Sequence, residues 1–319
     1  MPLDFVFLNR PFKTEKRVMT PPVLNKARLF LPVVLLVAVG LCILPAHADD
    51  KLKPEDLIAK HLEAVGSAEA RARVKGTRIK GNCSLAVRLC GEGQVDGQVL
   101  MASTDSASLI NMNFEVAAYA QEALRYDGKR LATSQLKPGS RTCLAQFFLE
   151  NEVLFKEGLV GGVLSESWPL LNVAERNPKI EYSGLKKIGD KQLHALKYNP
   201  RKGSDLKIVL YFDPQNFRHV RSEYSRTIYP SEQRRIAGGG PGLPPPQNQQ
   251  ASPARIEAYE EFADFKEESG LNVPHTYKFH LSIQSEVRPA VVDWVFNLTD
   301  YSFTSPLDSA EFTFGHDKG

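Results

Sequence analysis

Tyr277-Lys278-Phe279-His280-Leu281-Ser282-Ile283 decides the fold. Its apolar residues occupy every second position, which is the period of a strand with one buried face and one wet face. The pattern repeats downstream, where Val292, Trp294, Phe296 and Leu298 alternate with Asp293, Asn297 and Thr299. Upstream, Ile79, Cys83 and Leu85 alternate with Arg78, Lys80 and Ser84, and Val95, Gly97, Val99 and Met101 continue the pattern. Ser108, Ile110, Met112 and Phe114 do the same. Leu124 to Thr133 folds back on itself at Asp127-Gly128, a hairpin signal. Further strands are predicted at Lys179–Tyr182, Gln192–Tyr198, Leu206–Phe212, His219–Tyr229 and Ile256–Phe262. About ten strands with short spacings predict one large antiparallel sheet.

An apolar sheet face needs cover, and two segments offer it. Pro54–Val65 reads as an amphipathic helix opened by Pro54, with Glu55 and Asp56 in its first turn and Gly66 at its end. Its stripe is Leu57, Ile58, Leu62 and Val65, and a short turn follows over Ala68–Val74. Leu144–Phe155 has helical spacing, and Gly158–Leu164 then reads as a mobile apolar connection up to Trp168-Pro169. These glycines lack the Lys-Ser/Thr of a phosphate loop and the GxGxxG spacing. The fold class is α+β and mostly β: a large curved antiparallel sheet, an incomplete half-barrel, with helices covering its concave face. Residues 230–254 carry Gly238-Gly239-Gly240-Pro241-Gly242 and Pro244-Pro245-Pro246, and read as a disordered loop between two paired strands.

The N-terminus reads as an export signal. Lys26 and Arg28 precede an apolar run from Leu29 to Leu44, and Ala46-His47-Ala48 offers an A-x-A cleavage site. Residues 1–48 are therefore a signal peptide cut after Ala48, with Met19 an alternative start to Met1, and residues 49–319 form a single domain. The expected location is outside the cytoplasm. The alternative is an uncleaved signal anchoring the domain to the inner membrane, although the run is shorter than the roughly 20 residues that span a bilayer. Leu41 before Cys42 is the wrong neighbour for lipidation. Without the signal, 34 basic residues face 35 acidic ones. That balance argues against nucleic acid and against a polybasic membrane patch.

Little chemistry is written in the chain. The histidines after residue 48 form no HExxH, HxH or zinc spacing, and each reads as a surface or strand-face residue. No Gly-x-Ser-x-Gly occurs. Glu260, Glu261 and Asp264 read as a solvated strand edge rather than a catalytic pair. No enzyme, cofactor or metal is expected, with an unrecognised hydrolase as the remaining catalytic reading. In an exported chain Cys83, Cys90 and Cys143 can form one disulfide. Cys83 with Cys90 is the candidate pair, and buried free thiols are the alternative. Asn82-Cys83-Ser84 and Asn297-Leu298-Thr299 match glycosylation sequons, as chance gives at this length.

In four places, in order, the residues resemble the LolA/LolB-like lipoprotein-carrier superfamily, specifically the outer-membrane lipoprotein-sorting-like proteins of bacterial envelopes. The first is Asp56-Leu57-Ile58-Ala59-Lys60-His61-Leu62-Glu63-Ala64-Val65-Gly66. The second is Tyr126-Asp127-Gly128-Lys129. The third is Leu210-Tyr211-Phe212-Asp213-Pro214. The last runs from Tyr301-Ser302-Phe303 through Pro306-Leu307-Asp308 to Phe312. Together they span most of residues 52–314. The resemblance implies an incomplete barrel closed by helices, whose interior takes up the acyl chains of a lipoprotein.

Two features depart from the carrier pattern, the Leu144–Leu171 segment and the Pro230–Pro253 loop. The carriers' lid-locking arginine has Arg78 and Arg88 as candidates here, with a solvent-face charge as the alternative for each. The expected partner is a lipid or lipoprotein acyl chain, and the expected state is a monomer. Cleft residues are Ile79, Val99, Met112, Leu210, Tyr224, Phe279, Trp294 and Phe296, covered by Phe147, Phe148, Leu159 and Val163. The competing reading is a non-catalytic module that binds envelope proteins and has a filled core.

Overall fold

The computed structural model describes residues 52–89, 92–229, 252–286, 289–304 and 306–314. The signal peptide, Cys42, Cys90 and residues 230–251 of the expected loop lie outside the described residues.

Twelve strands form one antiparallel sheet. Five come first: β1 (Thr77–Arg88), β2 (Gly93–Ser103), β3 (Ser108–Phe114), β4 (Gln121–Tyr126) and β5 (Leu131–Thr133). Seven follow: β6 (Lys179–Ile188), β7 (Lys191–Asn199), β8 (Lys207–Phe212), β9 (His219–Ile228), β10 (Ala254–Glu268), β11 (Leu271–Gln284) and β12 (Ala290–Ser302). In space the order is β5-β4-β3-β2-β1-β12-β11-β10-β9-β8-β7-β6. Every neighbour is a sequence neighbour except β1 and β12, which zip the two halves together. β5 and β6 are therefore left at opposite edges, and the sheet stays unclosed.

The strands outrun the alternation read from sequence. β10 continues through Asp264, whose φ is +53°, to Glu268, and β11 begins at Leu271. Leu271 and Val273 of β11 are buried there, but the Asp264 kink, the Ser269-Gly270 turn and Pro274 interrupt the alternation that marks a strand in sequence. Curvature enters at the β1–β12 zipper, where the register shifts between Lys80 and Gly81. A Cβ at Gly81 would sit 2.1 Å from the Asn297 carbonyl oxygen, so only glycine permits this approach.

The connection from β5 to β6 has to travel from one edge to the other. It crosses the concave side as α3 (Cys143–Glu150), α4 (Val153–Lys156), a 3-10 turn (Gly162–Leu164) and the short α5 (Val173–Arg176). We call this segment the lid. The single helix expected over Leu144–Phe155 is broken at Asn151, whose side-chain amide donates to the Phe147 carbonyl at 2.7 Å. The expected mobile connection is instead packed: Gly158, Leu159, Val160 and Leu164 are buried, as are Trp168 and Pro169. A Cβ at Gly158, which has φ +67°, would lie 1.9 Å from the Ser167 carbonyl oxygen.

Two helices precede β1. α1 (Pro54–Val65) keeps its expected bounds, and α2 (Ala68–Ala72) follows. Arg71 donates to the Leu62 and Gly66 carbonyls, which closes the C-terminal end of α1 with a cation. On the convex side the C-terminal segment packs Phe312 over Ala102, Ala107 and Leu109.

The expected Cys83–Cys90 bridge does not form. Cys83 is a free, buried thiol whose pKa is pushed up to about 11 by burial. Its side chain points into the core from the middle of β1, away from the strand end. Cys143, in the first turn of α3, is disulfide-bonded to a partner outside the described residues.

Candidate functional site under the lid

The expected cleft residues meet on the concave face. Ile79, Val99, Met112, Leu210, Tyr224, Phe279, Trp294 and Phe296 are all buried in the main core cluster. Of the expected cover, Phe147, Phe148 and Leu159 belong to that cluster, and Val163 packs against it half-buried. The Phe148 ring stacks on Trp294 at 6.0 Å and lies 5.3 Å from Phe279, while Trp294 stacks on Phe296 at 5.1 Å. Lid side chains thus occupy the concavity. Beside Met101, Phe155, Val160 and Leu164 the space between lid and sheet is only about 10 Å³, about the room of a single water and far too little for an acyl chain.

The lid is held to the sheet through side chains and not through a backbone ladder. Among the described residues, no backbone–backbone hydrogen bond runs from residues 142–177 to the sheet or to α1. Its polar tethers all involve side chains. The Gly161 N–H donates to Glu260 Oε1 at 2.7 Å, the Glu166 N–H to Ser103 Oγ at 2.8 Å, and the Tyr198 hydroxyl to Glu157 at 2.7 Å.

Glu260 corrects the sequence reading. Its neighbours Glu261 and Asp264 do face outward, but Glu260 is 0% exposed. Besides Gly161 it accepts hydrogen bonds from the Tyr277 and Tyr224 hydroxyls. Burial pushes its carboxyl pKa up, while these donors pull the other way. The signal for this site was in the sequence: Ile256, Ala258, Glu260 and Phe262 share one strand parity.

The second junction joins lid, α1 and β9. His61, expected at the surface, is 0% exposed and takes a place in the apolar stripe of α1. The Trp168 Nε1–H donates to His61 Nε2 at 3.2 Å, so Nε2 carries no proton and Nδ1–H donates to the Phe217 carbonyl at 3.1 Å. Trp168 stacks on His219 at 4.6 Å, and His219 Nε2 lies 3.1 Å from Ser222 Oγ. Burial holds His61 at a pKa of about 4 and pushes His219 well below the usual histidine range.

Neither arginine candidate reaches the lid. Arg78 pairs with Glu311 of the C-terminal segment at 2.6 Å, and Arg88 pairs with Asp293 on the outer face. The arginine that does hold lid carbonyls is Arg176, which donates to Ser167 O at 2.8 Å and Lys156 O at 3.3 Å. Among the described residues, no group of three or more His, Cys, Asp or Glu side chains is arranged to hold a metal.

Three solved structures are similar to this chain along most of its length. A LolA superfamily protein from Nitrosomonas europaea matches at 11% identity and a TM-score of 0.42, covering 82% of this chain and 98% of its own. A DUF1329 family protein from Desulfovibrio piger matches at 9% identity and a TM-score of 0.42, covering 81% and 96%. A domain from Vibrio parahaemolyticus, described as an outer membrane lipoprotein-sorting protein domain, matches at 14% identity and a TM-score of 0.39, covering 80% and 97%. The chain is similar to these three. No family model matches the chain, and no curated protein matches it.

Proposed function

We propose that this protein binds and carries acyl chains of a lipid or lipoprotein in the bacterial envelope, without catalysis, and that the geometry described above is its closed form. The observation that carries the reading is the attachment of the lid. An apolar trough is covered by a segment that joins the two sheet edges yet shares no backbone ladder with the sheet. Removing it breaks side-chain contacts only and leaves all twelve strands paired.

The energies permit such an exchange. Exposing a buried Leu- or Phe-sized side chain costs about 1.5–3 kcal/mol, and burying a methylene returns about 0.8 kcal/mol. A chain of a dozen methylenes therefore offsets the displacement of about four lid side chains. Export with cleavage after Ala48 places the carrier in the periplasm. Among the described residues no helix is long and apolar enough to cross a membrane.

A locked lid tests the proposal. Ser103 Oγ sits 2.8 Å from the Glu166 amide, so a Ser103→Cys/Glu166→Cys pair can bridge sheet and lid. Oxidised protein is expected to take up less than a tenth of the fluorescent fatty acid taken up by the wild type. Reduction is expected to restore uptake, with reduced wild type as the control for the native disulfide. Uptake that ignores the lock sinks the lid mechanism.

The filled concavity favours one second reading, a non-catalytic envelope module that binds a protein partner on its outside. No saturable uptake of fatty acid or lipopeptide by wild type selects that reading.

A further inference from the structure

The β4–β5 turn and the β7–β8 turn belong to opposite flanks of the sheet, yet both line one cleft of about 830 Å³. The lid forms the wall between them. Curvature has brought the two flanks together over α3 and α4, at the rim of the apolar trough.

The charges in this cleft are unevenly used. Two of its four carboxylates are paired with cations; the other two, Glu150 and Glu157, accept from neutral donors and keep their charge. Glu150 accepts from Gln146 at 2.7 Å, and Glu157 accepts from Tyr198 at 2.7 Å. Glu152 pairs with Lys156 at 2.7 Å, and Asp205 pairs with Arg226 at 2.7 Å. Lys129, Arg176, Arg201 and Lys202 remain against Glu150 and Glu157, so the cations are in surplus by two. Lys129, Arg201 and Lys202 are exposed and, among the described residues, have no carboxylate partner. Arg176 spends its hydrogen bonds on two neutral main-chain carbonyls and keeps its charge unpaired. Cations from both turns and from the end of the lid therefore converge on one space, a local field that concentrates anions. The inner wall is apolar: Leu149 and Val153 line the cleft and pack against the main core.

The geometry points to a seat for a phosphate group of net negative charge, the headgroup of an anionic amphiphile whose chain runs beneath α3 and α4. The chain part rests on the carrier reading above; the anion part rests on the cations alone. Arg201 and Lys202 approach the headgroup from one flank, Lys129 from the other, and Arg176 from below.

The test uses two lysolipids of equal chain length, lysophosphatidylglycerol and lysophosphatidylcholine, both below micelle formation, with inorganic phosphate as a third probe. Wild type is expected to bind the anionic lysolipid at least tenfold more tightly at low salt. The preference should shrink in 0.5 M salt, which screens exposed charges. Arg201→Glu/Lys202→Glu is expected to abolish it while leaving the zwitterion's affinity unchanged. Both positions are exposed turn residues, and circular dichroism checks the fold. Equal affinity for the two lysolipids in wild type overturns the headgroup seat and leaves the carrier standing. Phosphate binding that the double variant removes, without binding of either lysolipid, keeps the anion site for a free ion and ends the carrier reading. Binding of none of the three overturns both.

Discussion

Glu260 shows how a single residue holds two layers together. Its carboxylate collects the lid's Gly161 N–H and two tyrosine hydroxyls from the sheet. Glu260→Ala leaves these donors buried without an acceptor, at about 1–3 kcal/mol for each group that water cannot reach. A loss of at least about 3 kcal/mol in urea unfolding is expected. A loss below about 1 kcal/mol would show that the lid does not depend on this tether. The residue was legible in the alternation of β10. The cluster Glu260, Glu261 and Asp264 hid it, because residues adjacent in a strand face opposite ways. His61 is the helical counterpart, occupying the stripe of α1 at the spacing of Leu57 and Val65.

At the scale of elements, the contact of α1, lid and β9 should respond to acid. His61 has a folded pKa of about 4 against an ordinary value of 6.5. A depressed histidine gives stability that is complete above about pH 6.5 and lost as pH falls toward 4, about 1.4 kcal/mol per unit. His219 acts in the same direction. Glu122 and Glu166, each raised to about 7 by burial, act oppositely. Their contribution is complete below the usual carboxylate pKa and lost as pH rises to 7. Global stability is therefore flatter with pH than the His61–Trp168 contact, and that contact loosens first. Trp168 in a Trp294→Phe background reports on it, since the chain has two tryptophans. Its emission is expected to shift between pH 6.5 and 4 before far-ultraviolet dichroism changes, and His61→Phe should weaken the shift. Emission that stays constant down to pH 4 contradicts this assignment.

For the whole molecule, an unclosed sheet must manage two edges. β5 is three residues long, and β6 carries Lys186 and Lys187 beyond a register shift between Tyr182 and Leu185. Those features discourage pairing with another chain, so the opening is left to the lid. Phe148 is the lid side chain that lies on Phe279 and Trp294. Phe148→Ala should cost about 3–5 kcal/mol in stability, as large core truncations do. The space it leaves on the concave face should raise affinity for a fatty acid. Lost stability with unchanged or weaker affinity would mark that face as core alone.

The sequence by itself determined the strands, the helix at Pro54–Val65 and the inward set of apolar residues, because strand and helix periods are local and water sorts each period into faces. It also placed the resemblance to envelope carriers. Tertiary structure decided the rest. Which edges stay open follows from β1 meeting β12 across most of the chain's length. The glycine-rich segment became a packed lid because it had to cross between those edges. Cys83 stayed free because its strand turns it into the core. Glu260 and His61 became tethers only because the lid brought Gly161 and Trp168 to them, and no local pattern encodes a partner about a hundred residues away.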